Sequence, residues 1–347
     1  MSELSHVGVG IIGLGFMGAT HYRAYQSAHE AGFQCKVVAV SDRSPERLGG
    51  RVDVLGNIET GHGERLFDPT QVRTSKEPRE LLSDHRVHLV SICTHTETHV
   101  DLAIAALEAG KHVLVEKPVA LASGDVRRLA AAVKQSGKLC MPAMCMRFWP
   151  GWSWLRERIV DGRYGKVSSA TFERLGSAPT WATDFYADVN RSGGSLFDLH
   201  IHDADFILWC FGRPREVVSV GSIMHMTTMY RYDPERGPAH VVAEGGQDHA
   251  PGFGFRMRYT VAFERATADF DLARTPHLLV HQDGKSVPVE LPKGAGYDGQ
   301  IRHIVDSILG GRDPETLIAT IEQAAGVTEL LEAERTSIET RSPVQLR

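Results

Sequence analysis

Residues His6-Val-Gly-Val-Gly-Ile-Ile read as a buried strand that turns at Gly13-Leu-Gly-Phe-Met-Gly18 into a helix running to about His29. A Gly-x-Gly-x-x-Gly between a strand and a helix leaves few folds open. Gly13 permits the tight turn, Gly15 lets the main chain approach a pyrophosphate with no Cβ in the way, and Gly18 lets helix and strand pack closely. The helix opens with Phe16 and Met17, and its N-terminus faces the phosphates. A second strand, Lys36–Ser41, ends at Asp42, where the acid that binds the ribose hydroxyls belongs. Together these features point to a dinucleotide-binding, doubly wound parallel sheet; the bland alternative is a tight βα turn followed by an incidental aspartate.

The βα alternation continues. Residues 50–75 are polar and glycine-rich, without periodicity, and read as an irregular connection. Then come a helix at Pro78–Asp84, a strand at Val87–Cys93, a helix at Thr98–Ala109, a strand at His112–Val115, a helix from Ser123 to Ser136, and a closing strand at Leu139–Met141. The apolar Val113-Leu-Val115 places Glu116-Lys117 at a strand's carboxyl edge, where open α/β sheets bind ligands. Pro118 keeps Lys117 out of the α region, so the backbone aims the lysine. An ordinary surface Glu-Lys-Pro turn is the competing reading of that tripeptide alone.

A chain of 347 residues, 42% of them hydrophobic, is long enough for two cores, and we expect domains at 1–141 and 142–347. The formal net charge of -5 gives no basic field for nucleic acid or a membrane surface. Five cysteines without a Cys-x-x-Cys pair read as reduced core thiols, and no stretch has the length and apolarity of a bilayer span. The expected protein is cytoplasmic and acts on a small molecule.

In the second half, Gly193-Gly-Ser-Leu-Phe-Asp198-Leu-His-Ile-His202-Asp-Ala-Asp205 begins a helix that is apolar over most of its circumference. Asp198, His202 and Asp205 fall at i, i+4 and i+7 on one face, and His200 points to roughly the opposite side. A buried histidine one turn from an aspartate suits acid–base chemistry. A structural histidine is the bland alternative. His200 and His202 with Asp198 and Asp203 could also be read as metal ligands, but His-x-His chelates on a strand and this pattern is helical, so no metal is expected.

Around this helix we expect a helix at Trp152–Asp161 and strands at Lys166–Glu173, Val217–His225, His240–Gly245, Gly254–Phe263, Thr267–Leu272 and His277–Val280, an open and mainly antiparallel sheet. Helices at Asp298–Leu309 and Pro314–Thr336 end the fold and are expected to pack back on the first domain. The loop Gly176–Asn190, with Trp181, Phe185 and Tyr186, reads equally as a substrate lid or as packing. A sheet face without a helix suggests a homo-oligomer, a dimer or tetramer.

These segments resemble the Gfo/Idh/MocA oxidoreductases over nearly the whole chain. The resemblance rests on the glycine fingerprint, Cys93-Thr94-His95, Ala103–Lys117 with Pro118, Arg147-Phe-Trp-Pro, and the Gly-Gly…Asp-x-x-x-His-x-x-Asp pattern at 193–205. It implies hydride transfer between NAD or NADP and a secondary alcohol or ketone of a sugar, inositol or related polyol. Lys117, Asp198 and His202 would be the catalytic set, with a cis Lys117–Pro118 peptide holding the amine over the nicotinamide. It also implies cofactor contacts from Cys93, Thr94, His95, His99, Glu116, Lys117, Pro118 and Arg147, and substrate contacts from Lys117, Arg147, Trp181, Asp198, His200 and His202. His95 stands where proline is common and His200 where a small residue is common, which leaves the substrate unspecified. Asp42 favours NAD, while Arg43 could instead pair with the 2′-phosphate of NADP. A silent dinucleotide-binding regulator is the alternative function.

Overall fold

The computed structural model describes residues 4–51, 65–179, 183–235 and 237–346. No helix among them is long and apolar enough to cross a membrane. The chain divides into two compact units, one made of Met1–Phe148 with Ala295–Gly326, the other of Trp149–Gly294 with Val327–Arg347. Neither unit is contiguous in sequence.

The first unit holds six parallel strands, β1 Val7–Ile12, β2 Cys35–Ser41, β3 Arg73–Ser75, β4 Leu89–Ile92, β5 His112–Val115 and β6 Cys140–Pro142, in the order β3-β2-β1-β4-β5-β6. Every residue of β1 and β4 is buried, as expected of strands covered by helices on both faces. β3 lies in the stretch read as irregular, half of which, residues 52–64, falls outside the described residues. Helix Gly296–Leu309 belongs to this unit because Ile301, Ile304 and Val305 form an apolar stripe that is fully buried against helix Phe16–Glu30 and its surroundings.

The second unit is built on a nine-stranded sheet. Its strands are β7 Val167–Ser177, β8 Glu216–Ser222, β9 His225–Arg231, β10 His240–His249, β11 Arg256–Phe263, β12 Thr267–Asp271, β13 Leu278–Gln282, β14 Lys285–Pro288 and β15 Val344–Gln345. The order is β14-β13-β12-β11-β7-β10-β9-β8-β15, antiparallel except for β7 with β10. The strand expected at Val217–His225 is a hairpin, β8 and β9, and the helix expected at Pro314–Thr336 is a 3₁₀ turn, Pro314–Thr316, followed by an α-helix, Ile321–Thr340. One sheet face packs Phe172 and Tyr259 against Trp152 and Phe206 of helices Pro150–Asp161 and Ile201–Phe211, with Trp152 4.8 Å from Phe206 and 5.4 Å from Tyr259 in edge-on contacts.

Candidate active site

The central strands of the first unit end together. Gly13 N–H donates to the Ser41 carbonyl at 2.8 Å, Cys93 N–H to that of Ile12 at 2.8 Å, and Glu116 N–H to that of Ile92 at 3.0 Å. Gly13, Asp42, Cys93-Thr94 and Glu116-Lys117 therefore line one sheet edge, where the strand order reverses between β1 and β4.

The three fingerprint glycines serve different needs. Gly13 has φ +88°, and a Cβ there would lie 2.6 Å from the Cys93 carbonyl oxygen. At Gly18 a Cβ would run into the Gly13 carbonyl. Gly15 has an ordinary φ of -70°, and a Cβ there would meet nothing within 4 Å. The space in front of Gly15, beside half-buried Phe16 and Met17 at the start of the helix, thus fits a ligand phosphate rather than the protein's own packing. Asp42 accepts from Leu14 N–H at 2.7 Å and Ser44 N–H at 2.8 Å, leaving carboxylate lone pairs for a ribose, and Arg43 is exposed.

Beneath this edge, Glu116 anchors Lys117. Its Oε2 accepts the Lys117 N–H at 3.1 Å and its Oε1 lies 2.9 Å from Nε2 of the fully buried His21. His21 Nδ1 is 3.3 Å from Ser91 Oγ and 3.5 Å from Cys93 Sγ, Tyr25 closes the chain on Ser91 at 2.9 Å, and burial pushes the Cys93 thiol well above its ordinary pKa. The Lys117–Pro118 peptide is cis. His99 joins two loops, its Nδ1 2.9 Å from the Pro118 carbonyl and its Nε2 3.1 Å from that of Thr94. Burial lowers its pKa despite both carbonyls, so the ring is neutral and donates to one of them. The Thr94 hydroxyl accepts from Thr98 at 2.7 Å, and His95 is exposed. Arg147, in the turn Cys145–Phe148, is buried, with Nη1 donating to the Ile318 carbonyl at 2.7 Å and to Gln323 Oε1. It ties the returning segment to the first unit.

In the second unit, Leu196–His200 is a turn of π-helix, and the α-helix begins only at Ile201. The uninterrupted α-helix expected from the sequence is corrected here. Gly193 and Gly194, both left-handed at φ 75° and 65°, deliver the chain to the turn, and Leu196 N–H is held by the Ile223 carbonyl at 3.0 Å. Such widened turns recur at functional sites. Asp198, half-buried on this turn, accepts from Gln247 Nε2 at 3.3 Å, and Gln247 in turn accepts from Ser195 Oγ at 3.2 Å. His202 is half-buried on the first α turn.

His200, expected to touch substrate, is instead fully buried inside the second unit. Its Nε2 lies 2.9 Å from Glu334 Oε2 and 3.1 Å from the Tyr230 hydroxyl, and it packs on Gly245, where a Cβ would come within 2.9 Å of Nδ1. Two residues beyond Asp198, its side chain projects away from that face. Burial alone would lower its pKa, but the charge and hydrogen bond of Glu334 outweigh burial and raise it. Asp203 is held by Arg174 in a buried two-pronged pair at 2.9 and 3.0 Å. The other expected substrate residue, Trp181, lies outside the described residues.

Sequence reasoning did not find His21, Ser91, Gln247 or Glu334. Only His21 left a signal, three residues after Gly18 and four before Tyr25 on one helix face.

Two family models match, an oxidoreductase family with an NAD-binding Rossmann fold over residues 7–144 and the GFO/IDH/MocA C-terminal domain over residues 152–250. Among characterised proteins, the chain is 30% identical over 217 residues to myo-inositol 2-dehydrogenase of Thermotoga maritima, an alignment spanning 62% of this chain and 58% of that enzyme. It is 26% identical over 317 residues to scyllo-inositol 2-dehydrogenase (NAD(+)) of Bacillus subtilis, spanning 86% and 89%. The fold matches levoglucosan dehydrogenase in complex with NADH and levoglucosan, with a TM-score of 0.82 at 20% identity over 98% of this chain and 99% of that one.

Proposed function

Because the chain belongs to the Gfo/Idh/MocA oxidoreductase family, with its NAD-binding Rossmann domain, we propose that it oxidises a secondary alcohol, or reduces the ketone, of a sugar, inositol or related polyol. One observation carries the reading: Gly13, Asp42, Cys93-Thr94 and Glu116-Lys117 share one sheet edge with open space before Gly15. Bound NAD supplies the hydride acceptor. The helix N-terminus at Gly15 holds its phosphates, Asp42 its ribose, and the loops at Cys93–His95 and Pro118, braced by His99, border it.

Lys117, Asp198 and His202 form the proposed catalytic set. The Lys117 ammonium, positioned through Glu116 and His21, stabilises developing alkoxide charge. His202 takes the hydroxyl proton, since imidazole ordinarily titrates near neutral pH and a lysine ammonium far above it. Asp198 keeps His202 oriented and is itself fixed by Gln247.

NAD is favoured over NADP because Asp42 would repel a 2′-phosphate. The protein works in the cytoplasm, a reading supported by five free, buried cysteines. It assembles through the sheet face that carries Thr171, Glu173, Arg258 and Thr260, opposite the helices, and sedimentation velocity at micromolar protein should give a multiple of the chain mass. The test of function is a panel of inositols, sugars and polyols with NAD and NADP, followed at the absorbance of reduced nicotinamide. Turnover of a cyclic polyol with NAD is expected. Tight NAD binding with no turnover across the panel would overturn the reading.

A further inference from the structure

The start of β9 and the end of β10 bring together a donor set that the proposed chemistry does not use. One donor atom from each of His225, Asp248 and His249 lies within 4.8 Å of the other two. His225 Nδ1 is 2.7 Å from Asp248 Oδ1, and His249 Nδ1 is 3.5 Å from the same oxygen. The three side chains are between a quarter and a half exposed.

The backbone is shaped to make this cluster. In a regular strand Asp248 and His249 would point to opposite faces. The pairing of β10 with β7 slips between Gly246 and His249, and a bulge of this kind re-aims the side chains beyond it. Gly246 makes room for the His225 ring, since a Cβ there would lie 2.8 Å from Nδ1. His249 is braced by Phe253, ring centroids 3.9 Å apart. Its Nδ1 is buried yet has no hydrogen-bond partner among the described residues.

The arrangement around His225 also matches metal chemistry. Glu244 Oε1 lies 3.0 Å from His225 Nε2 and accepts that N–H, while Nδ1, which donates to Asp248 at 2.7 Å, would turn its lone pair to an ion that displaces the proton. A carboxylate holding the far nitrogen of a histidine is the usual support of a metal-bound imidazole. Four-coordinate zinc with bonds of about 2.0–2.2 Å needs donors roughly 3.3–3.6 Å apart, so an ion would open the 2.7 Å contact by somewhat less than an ångström and draw together donors that now lie within 4.8 Å of one another. Two imidazoles and one carboxylate suit zinc or cobalt rather than magnesium or calcium.

We propose that His225, Asp248 and His249 bind one divalent transition-metal ion, with Glu244 as the support of His225 and the remaining position open to water. Gln247 separates this site from Asp198, so the ion would also fasten the strand end that presents Gln247 to Asp198.

The test uses the full chain without a polyhistidine tag, stripped with chelator and dialysed. Titration with Co²⁺ should give visible ligand-field bands that saturate at one equivalent, Zn²⁺ should displace the cobalt, and Zn²⁺ should raise the melting temperature. His249→Ala and Asp248→Asn should each abolish the bands, and Glu244→Gln should weaken affinity about 10- to 100-fold. Folding of each variant is checked by circular dichroism. No binding by a folded wild-type chain would overturn the proposal. So would binding that survives His249→Ala and Asp248→Asn, or binding lost on His202→Asn instead, which would move the ion to the Asp198 helix.

Discussion

Lys117 and His202 carry different parts of the proposed chemistry, so their replacements should fail differently. Lys117→Met should lower kcat by about a hundredfold or more while the NAD dissociation constant hardly moves, because the lost charge matters most as the alkoxide develops. His202→Asn should remove the acidic limb of the oxidation pH profile. Near-normal kcat and an unaltered profile in both variants would eliminate this catalytic set. His200 makes a separate, structural prediction. Its folded pKa is raised by Glu334, so its contribution to stability is complete below the unfolded value of about 6.5 and declines as pH rises toward the folded value. Chemical denaturation of wild type and His200→Gln at several pH values should show a gap that narrows as pH rises across that window. A gap constant with pH would show that the pair does not titrate on folding. The sequence placed His200 correctly on the far side of the helix from Asp198, but its partner Glu334 was not legible, because no local spacing links residues so distant in the chain.

The strand–turn–helix at residues 7–30 was readable because its constraint is local. Its glycines separate into those the fold needs and the one a ligand needs. Gly15→Ala, at an ordinary φ with free space for a methyl, should leave stability unchanged or slightly raised yet weaken NAD binding tenfold or more, about 1.4 kcal/mol. Gly18→Ala should cost roughly 1–3 kcal/mol of stability, since its methyl meets the Gly13 carbonyl. Thermal melts and NAD titration of the two variants separate these outcomes, and equal loss of stability in both would refute the division. Other elements hid for physical reasons. β9 buries Met226, Thr228 and Tyr230 on one side, but a buried threonine blurs the apolar alternation, and the apolar Ile223-Met224 gives no turn signal. β3 is three polar residues long. The π-helical turn at Leu196–His200 has no pattern of its own beyond the glycine pair before it.

At the scale of the whole chain, the alternation of strands and helices revealed the fold class of both sheets, and the last helices, expected to pack back on the first domain, do so over Ala295–Gly326, whereas Val327–Arg347 belongs to the second unit. Apolar periodicity marks helix Gly296–Leu309 as amphipathic without naming the surface it covers. In the structure that surface belongs to the first unit. Ile301, Ile304 and Val305 are fully buried, Ile308 is nearly as buried, and Gln300 reaches within 3.3 Å of His21 Nε2 beneath Glu116. Burying four such side chains is worth on the order of 6–12 kcal/mol, comparable with the whole stability of a domain. Residues 1–148 expressed alone should therefore lack a cooperative unfolding transition and bind NAD weakly or not at all, although they contain the entire glycine fingerprint and Lys117. Joining 295–326 to 148 through a flexible linker should restore both properties, with Arg147 regaining its Ile318 and Gln323 partners. Circular dichroism melts and NAD titration of the two fragments measure this, and a cooperative, NAD-binding 1–148 fragment would show that the returning helix is dispensable to the first unit.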